Sequence, residues 1–305
     1  MSSTSTAPSL DELLAGAQLP ALPQSAVRLL ELSQDPDNGP AEFAAPIECD
    51  PGLTGQVLRF VNSSYFGFSR EISSIKLAIT LVGIKTIKNF ALWNAVFTLM
   101  PNPKCGPFDL KVLWQDSLRR GLFARAMGGL LGAKEAEELF AISLLQDMAI
   151  PLLAQELPEQ YNKLLDQRQG GLQRLSDLEQ ETFGWNHAEA AGIMARSWSL
   201  PDQFAVLVQN HTKLEEQLVA DQRENLKVAI SLSSMLPTVL DEVWYERDTF
   251  IQAYDLFAGD GHCGLEQILT RIDAEFAEFS PVLKVSVPDQ SLVDWLSHDV
   301  EQGER

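Results

Sequence analysis

Prolines in this chain stand at the heads of apolar runs, and that habit narrows the fold more than any other feature. At Asp50-Pro51 an aspartate can cap free backbone amides, while proline takes a first-turn position where its missing N–H costs nothing. Pro40 is placed the same way ahead of 41–48, and Pro23 opens 24–34, where Ala26, Val27, Leu29 and Leu30 recur near helical spacing. Asp35-Pro36 and Asn38-Gly39 stop and turn the chain between these runs. The helix begun at Pro51 runs through Val57, Leu58 and Val61 to about Ser64, and Tyr65-Phe66-Gly67-Phe68 then forms an aromatic loop. Two further helices, 75–81 and 84–100, break at Gly83. Residues 100–107 hold three prolines and a glycine and read as a loop at a subdomain boundary.

Beyond that loop the helical pattern continues over 110–131, 135–153 (with Pro151 inside), 158–168, 172–183, 187–197, 201–211, 223–236, 248–258 and 266–276. Only 282–287, Val-Leu-Lys-Val-Ser-Val, invites a strand reading. The expected fold is an all-α multi-helix bundle.

Composition removes several function classes. The 305 residues are 45% hydrophobic, too apolar for a disordered chain. No run approaches the ~18 apolar residues of a membrane span, and the Ser/Thr-rich start lacks the pattern of a secretory signal. Cys49, Cys105 and Cys263 are far apart and form no CxxC pair, which points to reduced thiols and a cytoplasmic protein. With 42 acidic against 23 basic groups the net charge is −19, which disfavours nucleic acid and anionic membrane as partners. Phosphate-binding Gly loops, G-x-S-x-G and H-E-x-x-H are absent.

The charge is uneven. Residues 51–100 carry Arg59, Arg70, Lys76, Lys85 and Lys88 against Glu71 alone, a +4 island in an acidic chain. On a helical wheel Lys85, Lys88 and Asn89 share one stripe of an otherwise apolar helix, its expected window to solvent. Arg59, Asn62, Ser63, Arg70, Lys85 and Lys88 are therefore candidates for binding an acidic partner or a phosphate, in a groove floored by Tyr65, Phe66 and Phe68. Local capping by the Asn and Ser side chains, with the aromatics in the core, is the stronger explanation of the same residues. Trp114, Trp185 and Trp198 lie in apolar helical pattern and read as core.

Several separated motifs fall in order: Leu19-Pro20-Ala21-Leu22-Pro23, Asp35-Pro36, Asp50-Pro51, Asn62-Ser63-Ser64-Tyr65-Phe66-Gly67, Ile72-Ser73-Ser74-Ile75 and Gly83. Leu144-Leu145-Gln146-Asp147, Phe183-Gly184-Trp185-Asn186-His187, Trp198-Ser199-Leu200-Pro201 and His211 continue the series. Over about 15–235 the chain resembles the HDOD family, HD-related output domains of bacterial signalling proteins. The resemblance implies a helical domain distantly related to HD phosphohydrolases, non-enzymatic and used as an interaction module. It divides the chain into a flexible N-terminus (1–14), an N-terminal helical part (15–100), an HD-like bundle (108–236) and a helical extension (237–305).

An HD hydrolase needs imidazoles and carboxylates to hold a divalent metal that polarises phosphate and activates water. By resemblance, Asp116 stands where the first histidine would be, and Gln146 replaces the histidine of the His-Asp pair, although Asp147 remains. The later aspartate is replaced within 229–233. His187 and His211 match positions that help hold a further metal in HD-GYP phosphodiesterases. The remnant set is Asp116, Gln146, Asp147, His187 and His211. Gln is a weak neutral ligand, so no metal and no other cofactor is expected. The alternative for Asp147 and His187 is a satisfied buried carboxylate and a turn residue. His262, among glycines and beside Cys263, fits a loop; Cys105, beside Lys104, is the expected exposed thiol.

Two readings stand. One is a non-catalytic signalling module that binds a regulatory protein of unknown identity; no receiver, kinase, cyclase or DNA-binding segment is recognisable, so coupling in trans is expected. The other is a metal-dependent HD-type phosphohydrolase or cyclic-dinucleotide phosphodiesterase with an altered ligand set. A third, weaker one is binding of a nucleotide second messenger without turnover, through Lys85 and Lys88.

Overall fold

The computed structural model describes residues 9–17, 19–219, 224–259 and 263–297; His262 lies outside them. The all-α expectation holds: the described residues contain helices and short 3-10 turns and no strand. Order begins earlier than expected. Ser9 and Glu12 form a capping box for α1 (Leu10–Gly16), and buried Leu10 and Leu14 tie it to the core, so 10–14 is not a flexible leader. Pro23 precedes α2 (Gln24–Leu32), and α3 (Pro40–Glu48) and α4 (Pro51–Val61) begin at their prolines. Asp50 Oδ1 accepts from the Leu53 amide at 3.0 Å, while Oδ2 accepts from the Ser25 hydroxyl at 3.1 Å and ties α4 to α2. Ser74 caps α5 (Ile75–Val82), and α6 (Ile84–Leu99) follows after Gly83, whose φ of 102° an L side chain rarely adopts.

The centre of the molecule is α7 (Leu110–Leu130), capped by Asp109 and packed against α8 (Ala136–Leu144) and two later helices. It is buried on nearly every side, polar Asp116 and Arg119 included. Its approach to α8 is close: a methyl group at Gly121 would stand 3.1 Å from the Phe140 carbonyl oxygen.

The single helix expected over 135–153 is instead two. Pro151 has no N–H to continue a helix, so it must lie in a first turn. The chain accordingly leaves α8, passes 145–149 through successive i→i+3 turns, and restarts as α9 (Ile150–Glu156). That break places Asp147 at the end of α8, outside any regular helix. Then follow α10 (Pro158–Gln167), α11 (Leu175–Phe183), α12 (His187–Ser197), α13 (Asp202–Gln209), α14 (Leu214–Val219), α15 (Asn225–Ser234), α16 (Arg247–Ala258), α17 (Leu265–Leu283) and α18 (Leu292–Ser297). Gly184 ends α11 in the left-handed region, and Asn186 caps α12 two residues on.

The C-terminal part is integral to the core. α17 packs on α7, α15 does so from another side, and Phe279 lies 4.2 Å from the Tyr65 ring centre and 5.7 Å from that of Phe60. Residues 282–287 are no strand: Val282 and Leu283 finish α17, and extended chain follows. The 100–107 loop is packed down as well. Cys105 is buried and its thiol donates to the Pro158 carbonyl at 3.3 Å, so the expected exposed thiol is a core group, whereas Cys49 and Cys263 are exposed. Trp114, Trp185 and Trp198 are buried as expected. No described helix is long and apolar enough to cross a membrane.

Candidate functional site

Four elements converge along the N-terminal half of α7. From α7 come Asp116 and, one turn on, Arg120; the turn after α8 supplies Asp147; α12 begins with His187; and the chain after α13 supplies His211. The Arg120 guanidinium donates to Asp147 Oδ2, and the pair is nearly closed to solvent. On the other oxygen, Asp147 Oδ1 stands 3.3 Å from His187 Nε2 and 3.4 Å from His211 Nε2. Asp147, His187 and His211 thus offer three ligand atoms within 4.8 Å of one another.

A second layer fixes the two rings. Glu179 of α11 is fully buried, and its Oε2 accepts from both the backbone amide (2.8 Å) and Nδ1 (2.6 Å) of His187. Its Oε1 accepts from the Tyr161 hydroxyl at 2.5 Å. His211 Nδ1 lies 2.6 Å from the Val208 carbonyl, which can only accept, so Nδ1 carries a proton. Gln146 does not join the cluster. Its amide oxygen accepts from the Ser143 and Ser233 hydroxyls at 2.9 and 3.2 Å, a buried polar knot between α8 and α15.

The protonation pattern follows from burial set against neighbouring charge. Burial alone would raise Asp147, yet Arg120, His187 and His211 hold its carboxyl well below the usual range. Burial opposes charge on His187, but the Glu179 carboxylate, with bonds to Asp147 and Glu179, pushes it up to about 9. For His211, burial prevails and its value falls. Asp116 is pushed up to about 7 by burial, with Arg120 pulling it back, while its Oδ1 accepts from the Val239 amide at 2.8 Å.

The Arg120 guanidinium occupies Asp147 Oδ2, which leaves Oδ1 and the two imidazole Nε2 atoms as the set that could hold a divalent ion. Asp147, the carboxylate such an ion would need, already has a cation against it, and that cation is covalently part of α7.

Above this floor opens a cavity of about 320 Å³. Two more arginines wall it. Arg168 pairs with Asp241 at 2.8 Å, and Arg174 reaches the Ser234 hydroxyl at 3.1 Å, the Thr212 carbonyl at 3.4 Å and Glu246 at 3.4 Å. Phe108, Val112, Leu240 and Trp244 add apolar wall. Sequence reasoning found Asp116, Asp147, His187 and His211 but missed Arg120, Glu179 and the wall arginines. The available signal for Arg120 was its i+4 spacing from Asp116 on a helix otherwise rich in apolar residues.

The N-terminal candidates do not gather into one site. Asn62 gives both ends of its amide to Ile72, accepting from its N–H at 2.7 Å and donating to its carbonyl at 2.8 Å. Ser63 donates to the Phe60 carbonyl. Both are local fasteners. Lys85 pairs with Glu138 at 2.7 Å, and burial lowers the Lys88 ammonium. Asn89 is buried and donates to the Glu137 carbonyl, so α8 closes the Asn89 end of the expected solvent window while Lys85 stays exposed. Tyr65 packs on Phe279 with the Arg125 guanidinium over its ring. Arg59 and Arg70 remain exposed, as do Lys76 and two leucines of α5, Leu77 and Leu81.

The family model of the HDOD domain matches residues 19–214. The chain belongs to the HDOD family. An HDOD domain protein of unknown function from Geobacter sulfurreducens has the same fold, with a TM-score of 0.71 at 19% identity, over 90% of this chain and 96% of that one. A Shewanella amazonensis protein provisionally named a phosphohydrolase aligns with a TM-score of 0.67 at 20% identity, over 90% and 96%. Another, from Marinobacter aquaeolei and provisionally named for signal transduction, aligns with a TM-score of 0.62 at 18% identity, over 91% and 59%. In sequence the chain is 23% identical over 233 residues to an uncharacterized protein of Treponema pallidum, covering 75% of this HDOD chain and spanning 44% of that protein's length.

Proposed function

We propose that this HDOD protein is a non-catalytic regulatory module of bacterial signalling, acting in the cytoplasm through contact with a partner protein. The observation that carries the reading is the Arg120–Asp147 pair. A metallohydrolase needs its carboxylate on a Lewis-acidic ion that also takes phosphate oxygen and water. A guanidinium has no open coordination position and activates no water, so the same carboxylate serves structure. Gln146, whose amide oxygen is taken by Ser143 and Ser233, supports the reading from the other side.

For the partner surface, the exposed charges Arg59, Arg70 and Lys76, with Leu77 and Leu81, are the part of the basic island that the fold leaves uncommitted. The proposed partner is acidic. The test is capture from the native cell with the face intact and with Arg59, Arg70 and Lys76 reversed to glutamate, alongside a phosphodiester-hydrolysis assay. A partner lost on reversal, with no turnover, is the expected result. Turnover abolished by Asp147→Ala would overturn it in favour of an altered-ligand phosphohydrolase. That second reading draws on the proximity of Asp147, His187 and His211 and on the Nδ1 anchoring of both rings, a geometry metal ligands also use.

A further inference from the structure

The cavity above Asp147 holds more carboxylates than cations to meet them. Its three arginines are spent inside the fold: Arg120 on Asp147, Arg168 on Asp241, and Arg174 on Glu246, the Ser234 hydroxyl and the Thr212 carbonyl. The charged His187 ring is spent on Glu179 and Asp147. Three further carboxylates line the same hollow, Asp109, Asp116 and Glu242, and among the described residues none of them stands in an ion pair. Asp116 is the decisive one, being buried at 5% exposure. Its Oδ1 accepts from the Val239 amide, and among the described residues Oδ2 has no hydrogen-bond partner. A buried carboxylate oxygen left unmet is costly unless a donor from outside the fold supplies the bond.

The helical period brings Asp116 to the hollow. Beginning at its capping residue, α7 presents Asp109, Val112, Asp116 and Arg120 to the cavity at three- and four-residue spacing. That stripe runs from exposed Asp109 at the mouth to the Arg120–Asp147 pair at the floor. The chain between α15 and α16 supplies another wall: Trp244 is buried there, while Leu240, Glu242 and Tyr245 are exposed at the mouth. The volume of about 320 Å³ is at the lower end of small-molecule sites, which run from roughly 300 to 1,000 Å³ and combine apolar walls with a few polar groups.

We propose that this cavity is a receptor site for a small organic cation, its ammonium or amidinium head on Asp116 Oδ2 and its apolar body lodged among Val112, Leu240 and Trp244. A charged head donates to a carboxylate more strongly than a neutral one, and aromatic walls favour a cation further. Asp109 and Glu242 at the mouth attract the same sign of charge. An anion would add to the unpaired carboxylates, and an uncharged body would leave Asp116 unmet. The existence of the site does not depend on the proposed function; its role as the input of a regulatory module does.

Calorimetric titration of the full chain tests the proposal, run at about pH 8, above the value of about 7 to which burial pushes Asp116. The probes are benzylamine, benzamidine, methylammonium, benzyl alcohol and benzoate. Benzylamine or benzamidine is expected to saturate one site, and the tighter of the two tells a tetrahedral head from a planar one. Methylammonium, lacking the body, and benzyl alcohol, lacking the charge, should each bind at least about tenfold more weakly, and benzoate should not saturate. Asp116→Asn keeps an oxygen for the Val239 amide and should weaken the tighter cation by a similar factor. Should Asp116→Asn not fold, Leu240→Lys, at an exposed position of the mouth, puts a repelling charge there and should weaken it too. Glu31→Gln, on α2, should change nothing. No saturation by either aromatic cation overturns the proposal, as does benzyl alcohol or benzoate binding as tightly, or full affinity in folded Asp116→Asn. Partner capture through the Arg59 face is a separate measurement, so either result can fail without the other.

Discussion

Arg120 and Asp147, 27 residues apart in sequence, form a buried ion pair at the point where an HD-type hydrolase would need a metal on the same carboxylate. The pair links the central helix α7 to the turn that breaks 135–153 into α8 and α9. The regulatory reading of this HDOD protein rests on taking it as a fixed internal cation in place of an exchangeable one.

Removing one partner strands the other. Arg120→Met leaves the Asp147 carboxylate buried with only imidazoles beside it, and should cost about 3–5 kcal/mol in urea unfolding. Replacing both, as Arg120→Met with Asp147→Leu, should cost clearly less than the sum of the two single changes. Additive losses would show that the pair is not coupled.

Glu246 makes stability depend on pH. Burial, opposed by Arg174, raises it from 4.5 to about 7. Between those values the folded chain keeps a proton that the unfolded chain has released. Its contribution is therefore greatest below about pH 4.5 and falls by about 3 kcal/mol as the pH rises to about 7. Glu246→Gln should flatten part of the decline in unfolding free energy between pH 5 and pH 8, with Asp116 and, above about pH 6.5, His187 keeping the remainder. An unchanged slope would contradict the assignment.

His187 is charged because Glu179 faces it. In Glu179→Gln the imidazole should titrate at least about one unit lower than in the parent, as followed by NMR of its ring protons. A value that stays near 9 would mean that Asp147 alone sustains the charge.

Asn62 is read as a fastener. Asn62→Ala removes its two bonds to Ile72 and one to the Leu58 carbonyl, and should cost about 1–2 kcal/mol in thermal or urea unfolding. Arg59→Glu and Arg70→Glu, on exposed side chains, should leave stability within about 0.5 kcal/mol. A large loss there would place those arginines in the fold.

Much of the fold was legible because helix starts are local. Pro40, Pro51 and Pro158 mark three starts directly, and Ser74, Asp109 and Asn186 cap three more with their own side chains. Pro151 was legible too, but taking it as an interior residue hid the turn that carries Asp147. The site was half legible. Asp147, His187 and His211 stand in motifs, whereas Arg120 and Glu179 matter only because α7 and α11 bring them to those residues from 27 and 8 positions away. The basic island was only partly legible for a related reason: charge along a segment does not reveal that Lys85 pairs with Glu138 or that Lys88 is half-buried.

Titration of the metal-stripped full chain with Co²⁺, followed by its visible d–d absorption, tests the central claim most directly. With Arg120 holding Asp147, no saturable spectrum should develop, while Arg120→Gln should free the carboxylate and bind about one equivalent. A parent protein that takes up about one Co²⁺ through Asp147, His187 and His211, and loses it in Asp147→Ala, would contradict the account.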